Sequence, residues 1–295
     1  MGQKRGNSSG GGGSFKRRKA PGNSSLQPAT SGVFVTCPRG KERNCFNEIS
    51  NIMEEYVERL FPAPEELEDS DEDDEDDDIE ASIQKELAGM KEKVRVKKDG
   101  TKIKRRLNKV DTGADCVLYI QTRGNIEPVQ LVHDICADAS STGIKRTRYT
   151  QRMTPITRTG IAEPQPLYDL AKEILAPHFH KDEGQEPLKY AIRPSFRNHT
   201  KMNRDEVIKM IAGIVGHEHG HKVDLKNYDV LIIVEVFKNI VGMSVVRDFD
   251  TLKGFNIDQI HQANIKKSQE EKETTEPARA TEEVPAQEEE KEESA

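Results

Sequence analysis

The chain has 295 residues and a formal net charge of −7, and 33% of its residues are charged while 34% are hydrophobic. Such a large charged share excludes a chain that is packed into a hydrophobic core along its whole length. The sequence has no run of 18 apolar residues and no secretory signal, which argues against a membrane-spanning or exported protein.

The charge is distributed very unevenly along the chain. Residues 65–80 hold thirteen acidic residues and no basic one, and residues 268–295 have a net charge of −8. The remainder therefore carries +14, which is typical of nucleic-acid-binding proteins, although a solvated charged surface is the alternative. The four cysteines form no CxxC pair, which favours reduced thiols and an intracellular protein.

The N-terminal part of the sequence predicts a basic arm followed by an α+β unit. Residues 1–30 have few apolar side chains and are expected to be disordered, and Lys16–Lys19 is either a nuclear import signal or a phosphate-binding tail. The expected elements are a strand at 33–36, a helix from Lys41 to Pro62, a strand at 116–122 and a helix from Pro128 to Gly143.

Two charged stretches interrupt this unit. The acidic run at 65–80 repels itself and is expected to be disordered. The basic stretch from Lys91 to Lys109 is either a β-ribbon turning at Asp99-Gly100 or a flexible loop. Both alternatives place cations on the surface.

The C-terminal part is organised around a buried strand. Val230–Phe237 is apolar except for Glu235, and a two-residue break near Asn239 predicts a hairpin at the centre of a sheet. The other expected elements are an extended stretch at 147–156, a helix from Leu167 to Phe179 ending near Pro177, a strand from Leu188 to Arg193 with Pro194 at its end, a helix capped by Asn203, a helix or loop at 252–265 and an acidic tail from Ser268.

The sequence His217-Glu218-His219-Gly220-His221 matches the HExxH zinc-protease pattern. That mechanism needs both metal-binding histidines on one face of a helix. Gly216 and Gly220 flank the motif and a strand follows at once, so we expect a surface turn without a metal site. We also identify no phosphate-binding loop, nucleophile elbow or cofactor site, and we expect a protein that is not an enzyme.

Cations recur beside strands and helix starts. Arg148 and Arg152 lie on the extended stretch, and Lys238 lies between the two central strands. Between a strand and a helix N-terminus the sequence places Arg193, Arg197, Asn198, His199 and Lys201. Arginines near the free N–H groups of a helix start can bind phosphates. The alternative is that these residues form ordinary solvated loops.

These segments resemble a THUMP domain, the RNA-binding module of several tRNA-modifying enzymes. The resemblance covers about residues 147–255 and depends most on RNHTKMNRDEV, on VDL before the central strand and on VEVFKNIVGMSV. With TRYTQRMTPI upstream, the sequence is similar to a subgroup of stand-alone THUMP proteins that assist tRNA acetylation. The resemblance implies an α+β chain with a ferredoxin-like domain at 31–146, a THUMP domain at 147–265 and a disordered acidic tail at 268–295.

By this resemblance the chain is a non-catalytic adaptor without a cofactor. It would recognise the acceptor end of serine and leucine tRNAs by shape and present them to an RNA cytidine acetyltransferase, which uses acetyl-CoA and ATP to form N4-acetylcytidine. The RNA contacts carried over are Arg148, Arg152, Arg193, Arg197, Asn198, His199, Lys201 and Lys238. We expect such a protein in the nucleus, including the nucleolus, with the cytoplasm as the alternative.

Three other functions stay open on the sequence. The chain could serve another RNA-modifying partner, act as a metal-dependent hydrolase through His217 and His221, or be an acidic-tailed protein-interaction factor without an RNA role. Binding to purified tRNA separates the RNA-binding functions from the last one, and stoichiometric zinc would favour the hydrolase.

Overall fold

The computed structural model describes residues 26–62, 105–181 and 183–275. The acidic run at 65–80, the turn at Asp99-Gly100, the basic cluster at Lys16–Lys19 and the end of the tail lie outside the described residues. The described part contains two sheets that follow one another along the chain.

The N-terminal lobe, residues 31–156, has the order of a ferredoxin-like domain. Its elements are β1 (Ser31–Thr36), α1 (Glu42–Leu60), β2 (Leu107–Val110), β3 (Val117–Thr122), α2 (Pro128–Thr142) and β4 (Met153–Ile156). The sheet order is β2-β3-β1-β4 with every neighbouring pair antiparallel. Gly143 ends α2 in the left-handed conformation that the sequence predicts at a helix C-terminus. The predicted fold of this lobe is therefore confirmed.

The C-terminal lobe, residues 158–246, is a five-stranded sheet with two helices. Its elements are β5 (Arg158–Ile161), α3 (Pro164–Phe179), β6 (Lys189–Arg197), α4 (Arg204–Val215), β7 (Lys222–Val223), β8 (Val230–Phe237) and β9 (Ile240–Val246). The strand order is β5-β9-β8-β6-β7, so β8 is central, and it forms an antiparallel hairpin with β9.

The helix α3 ends at Phe179 as predicted, whereas the strand boundary at Pro194 differs from the prediction. Pro177 lies inside α3, which continues to the fully buried Phe179. Burial of that ring offsets the single backbone hydrogen bond that a proline near a helix end cannot donate. Pro194 lies inside β6 rather than at its end. The pairing of β6 with β7 ends at Tyr190, so Pro194 occupies an edge of the sheet, where proline is tolerated.

The two lobes share one apolar interior. Leu231, Ile233 and Val246 of the second sheet belong to the same buried cluster as Leu131 and Ile135 of α2. The chain passes from the first sheet to the second at Thr157, later than the domain boundary expected after residue 146. The N–H of Thr157 donates to the carbonyl oxygen of Met243 at 3.0 Å, which ties this crossing point to β9.

A last helix, α5 (Ile257–Thr275), follows a 3-10 turn at Lys253–Phe255 and packs on α2. The side-chain amide of Asn264 donates to the carbonyl oxygens of Ala139 and Ser140, both at 3.1 Å. Residues 268–275 therefore continue this helix. A helix anchored at its start extends readily into a glutamate- and lysine-rich sequence with good helix propensity.

Candidate nucleic-acid interface

Strand β6 presents its cations on the side of the sheet opposite to α3 and α4. Tyr190, Ile192 and Phe196 pack into the core beneath α3 and α4. Because side chains alternate along a strand, Arg193, Ser195 and Arg197 point to the opposite side, which faces the N-terminal lobe. These side chains are exposed or half-buried, so β6 carries two arginines at the edge of the contact between the lobes.

A carboxylate lies beside these arginines. Ser195 is the register partner of Glu235 on β8, and the Glu235 side chain is only 13% exposed. Arg197 Nε lies 3.9 Å from a carboxylate oxygen of Glu235, which is an ion pair but too long for a hydrogen bond. Burial raises the pKa of Glu235, and Arg197, the Ser195 hydroxyl and Arg152 lower it by less.

The N-terminal lobe contributes Arg152 to the same surface. Arg152 directly precedes β4, is exposed and acts electrostatically on Glu235. A Cβ at Gly254 would lie 3.9 Å from Arg152 Nη2 and 3.2 Å from Phe249 Cζ. The Arg193 guanidinium lies 4.8 Å from the centre of the Phe249 ring and 3.8 Å from the Asp250 carboxylate. We call the surface formed by Arg152, Arg193, Ser195, Arg197 and Glu235 the junction face.

The hairpin turn after β8 is tied to both lobes. The N–H of Lys238 donates to the carbonyl oxygen of Arg197 at 3.0 Å. The Lys238 ammonium donates to the carbonyl oxygens of Thr112 and Gly113 in the N-terminal lobe, at 2.7 and 3.2 Å. Lys238 has a φ of 54°, a left-handed conformation that is uncommon for lysine. Its side chain therefore connects the lobes at one end of the junction face.

Both ring nitrogens of His199 are used within the protein. The N–H of Met202 donates to His199 Nε2 at 3.0 Å, so Nδ1 carries the proton and donates to the carbonyl oxygen of Lys238 at 2.6 Å. Asn198 precedes it with a φ of 54° and an exposed side chain. His199 holds the β6–α4 loop against the hairpin turn, whereas the Asn198 side chain is exposed.

Arg148 lies in a different environment. Its N–H and those of Tyr149 and Thr150 all donate to the Glu48 carboxylate of α1, at 2.7 to 3.2 Å. Its guanidinium lies 5.4 Å from the centre of the Tyr149 ring. The structure thus groups Arg152, Arg193 and Arg197, with Asn198, His199 and Lys238 adjacent. Arg148 instead contacts Glu48 and Tyr149.

The start of α4 is already occupied by acceptors. The Asn203 side chain accepts the N–H of Asp205 at 3.1 Å, as the sequence predicts, and two acidic residues lie in the first turn. Lys201 is exposed just before this cap. Sequence analysis overlooked Arg204, whose guanidinium donates to the Pro194 carbonyl oxygen at 3.0 Å. The NRDE sequence was the signal that could have revealed it.

The histidine turn is only partly a surface feature. His217 is exposed, but His221 is 4% exposed, so the prediction of a surface turn is wrong for it. The N–H of Leu188 donates to His221 Nδ1 at 3.1 Å, and Nε2 donates to the carbonyl oxygen of Phe179 at 3.0 Å. His221 directly precedes β7, which pairs with β6, and its ring therefore lies in the core. Within the described ranges, no group of three or more His, Cys, Asp or Glu could hold a metal ion.

The helices of the described part are all too short or too polar to cross a membrane.

The chain is similar to THUMP domain proteins and to a yeast protein named for tRNA acetylation. Residues 162–246 match the THUMP domain family. The chain is 35% identical over 283 residues to "tRNA acetyltransferase TAN1" of Saccharomyces cerevisiae, covering 91% of this chain and 98% of the relative. It is 34% identical over 252 residues to "THUMP domain-containing protein 1" of Mus musculus, covering 83% and 68%. The solution structure of the THUMP domain of THUMP domain-containing protein 1 is 33% identical, covers 28% of this chain and 83% of that one, and has a TM-score of 0.25.

Proposed function

The chain belongs to the family of THUMP domain-containing protein 1 and the yeast protein TAN1, and we propose that it is a tRNA-binding adaptor for tRNA acetylation. It holds tRNA on the junction face and presents it to a separate RNA cytidine acetyltransferase. That enzyme uses acetyl-CoA and ATP to form N4-acetylcytidine, and serine and leucine tRNAs are the proposed substrates.

The observation that carries this proposal is the junction face itself. Arg193 and Arg197 come from one strand and Arg152 from the other lobe, so one RNA segment can contact both lobes at once. Guanidinium groups bind phosphate oxygens in a bidentate geometry. The apolar interior that the lobes share fixes the distance between the arginines before RNA arrives, which reduces the entropy lost on binding.

Catalysis by this chain is the second candidate, because the yeast relative is named a tRNA acetyltransferase. The chemistry of the described side chains favours the adaptor. Burial raises the pKa of Cys45 and that of Cys136 to about 12, which makes both thiols poor nucleophiles. His199 and His221 each use both ring nitrogens in internal hydrogen bonds and are therefore unsuited to proton transfer.

One acetylation experiment separates the two candidates. Purified full-length chain, purified acetyltransferase and the mixture are each incubated with tRNA, acetyl-CoA and ATP, and N4-acetylcytidine is quantified. We expect product only when the enzyme is present, and a stimulation by this chain that Arg197→Ala reduces. Arg158→Ala is the matched control because Arg158 lies on β5, at the edge of the sheet away from β6. Acetyl transfer by this chain alone would overturn the adaptor proposal.

The proposed location is the nucleus, including the nucleolus, with the cytoplasm as the alternative. The support is the basic cluster Lys16–Lys19 in the sequence. Imaging a fluorescent fusion with these four residues replaced by alanine tests it, since an unchanged distribution would exclude the cluster as the import signal.

A further inference from the structure

Glu235 is the one ionisable side chain in the sequence of the central strand, Val-Leu-Ile-Ile-Val-Glu-Val-Phe. A carboxylate at this position is costly, because it is removed from water and most of its neighbours along the strand are apolar. The proposed RNA-binding role of the arginines does not require it, and a negative charge among them opposes phosphate binding. Its position therefore calls for a separate explanation.

Among the residues that the structure describes, the surroundings of Glu235 leave acceptor capacity unused. An ionised carboxylate can accept about four hydrogen bonds. The groups that favour its ionised form are the Ser195 hydroxyl and the guanidinium groups of Arg197 and Arg152, and the Arg197 contact of 3.9 Å is longer than a hydrogen bond. On the other flank Glu235 pairs with Gly242, where a Cβ would lie only 2.7 Å from Ile156 Cγ2. That flank is closed by packing, so the free acceptor positions open towards the junction face.

Holding Arg197 in place is not a sufficient role for this carboxylate. An ion pair that lacks hydrogen bonds repays little of the cost of burying a charge. Asp250 shows the cheaper arrangement on the same face, since it pairs with Arg193 at 3.8 Å while 62% of its side chain remains exposed. A buried acceptor with open positions is better matched to a ligand that brings donors.

We propose that Glu235 accepts a hydrogen bond from the 2′-hydroxyl of a ribose in the bound RNA, while the neighbouring arginines hold the adjoining phosphates. This inference rests on the proposed tRNA-binding function and deepens it. In a nucleic-acid strand the sugar lies next to each phosphate, so a carboxylate about 4 Å from a phosphate-binding guanidinium is close to the ribose. The 2′-hydroxyl is the group that distinguishes RNA from DNA, and Glu235 thereby makes the junction face selective for RNA.

The test compares RNA and DNA on full-length protein. The probes are a tRNA transcript and a DNA oligonucleotide of the same sequence, and Kd is measured at fixed salt for wild type and for Glu235→Gln. Hydrogen bonds to charged groups are the strong ones, so we expect Glu235→Gln to weaken RNA binding about tenfold. DNA binding should stay unchanged or become tighter, because one negative charge is removed. Asp250→Asn is the matched control and should leave the ratio of the two affinities unchanged.

Tighter binding of both RNA and DNA by Glu235→Gln would contradict the proposal. If Glu235 is only an acid within a cationic surface, Glu235→Gln strengthens RNA and DNA binding together and the inference is overturned. A base amine is the other donor that a carboxylate could meet, so a transcript with inosine in place of guanosine is tested with the same variant. Loss of coupling to Glu235 in that transcript alone would assign the donor to a base and overturn the ribose proposal.

Failure of the inference is distinguishable from failure of the proposed function. If wild type binds tRNA and Arg197→Ala weakens binding, but Glu235→Gln leaves the RNA-to-DNA ratio unchanged, only the role of Glu235 is wrong. If wild type does not bind tRNA, both proposals fail. Thermal unfolding of each variant, monitored by circular dichroism, verifies that Glu235→Gln is folded before its affinity is compared.

Discussion

The ammonium nitrogen of Lys238 lies 2.7 Å from the carbonyl oxygen of Thr112, a buried residue that is 126 positions away in the chain. The sequence predicts Lys238 as an RNA contact, whereas its hydrogen bonds connect the C-terminal lobe to the N-terminal one. Lys238 thereby helps to set the distance between Arg152 of the N-terminal lobe and the arginines of β6.

The Lys238 contact predicts that Lys238→Met weakens tRNA binding without removing a phosphate contact. Salt titration measures this directly, because the slope of log K against log salt counts neutralised phosphates. We expect a lower affinity at an unchanged slope, and a loss of about 1 kcal/mol in the free energy of unfolding from the lost hydrogen bonds.

Lys172→Met is the matched control for that variant. The ammonium of Lys172 lies 5.4 Å from the centre of the Tyr168 ring, as that of Lys238 does from the Phe237 ring, but Lys172 is on α3. Both the affinity and the unfolding free energy should stay near wild type. A slope reduced by about one unit in Lys238→Met, with unchanged stability, would instead make Lys238 a direct phosphate contact.

Replacing His221 should be far more damaging than replacing His217. His221→Ala leaves the Leu188 N–H and the Phe179 carbonyl oxygen without partners in a buried site. We expect a loss of about 2–4 kcal/mol in unfolding free energy, measured by urea denaturation, from unpaired polar groups and the cavity together. His217→Ala should change it by less than about 0.5 kcal/mol, since surface substitutions rarely do more. Equal effects of the two variants would contradict the internal role of His221.

Glu235 should make the folded protein less stable as the pH rises, which is the opposite of the usual effect of a carboxyl group. Its folded-state pKa is raised above the ordinary 4.5, chiefly by burial. The folded protein then binds the proton more tightly than the unfolded chain, so this contribution is present below pH 4.5 and is lost as the pH rises through the folded pKa. We expect Glu235→Gln to be more stable than wild type at pH 7, with the advantage shrinking towards pH 4. Urea denaturation across this range measures it, and a variant that loses stability at pH 7 would refute this prediction.

Asp138 should give the opposite pH dependence of stability to Glu235. Its carboxylate accepts the Tyr56 hydroxyl at 2.8 Å and the Arg59 guanidinium at 3.0 Å, and both hydrogen bonds lower its pKa. This stabilisation is present above the ordinary value of 3.8 and is lost as the pH falls through the folded pKa. Asp138→Asn should therefore be less stable than wild type at pH 7, and the two denaturation midpoints should converge in acid. Midpoints that differ equally at pH 7 and pH 3 would exclude the ionic contribution.

Local sequence signals predicted the elements but not their distant partners. The apolar run of β8, the cap at Asn203 and the glycine after α2 each act within a few residues, and the structure contains all three. The burial of His221 depends on Phe179, 42 residues earlier in the chain, and no local pattern encodes that contact. Residue type and position also predict Arg193 and Arg197 as RNA contacts, and this stays a prediction. The role of Glu235 depends on which residues its neighbouring strands place beside it, so the sequence revealed only a break in an apolar run.

The arginines of the junction face make the most direct prediction about RNA. If about five phosphates are neutralised, log K falls with log salt at a slope of roughly −3.5 to −4.5, depending on how single-stranded the contacted RNA is. Arg197→Ala should weaken binding and reduce the steepness of this slope by about one unit, whereas Arg158→Ala, on the far edge strand, should change neither. The double variant Arg193→Ala/Lys201→Ala tests Arg193 of β6 and Lys201 of the loop that follows it. If affinity is unchanged in both the Arg197 and the double variant, RNA binds elsewhere, and the basic stretch at 91–109 is the next surface to test.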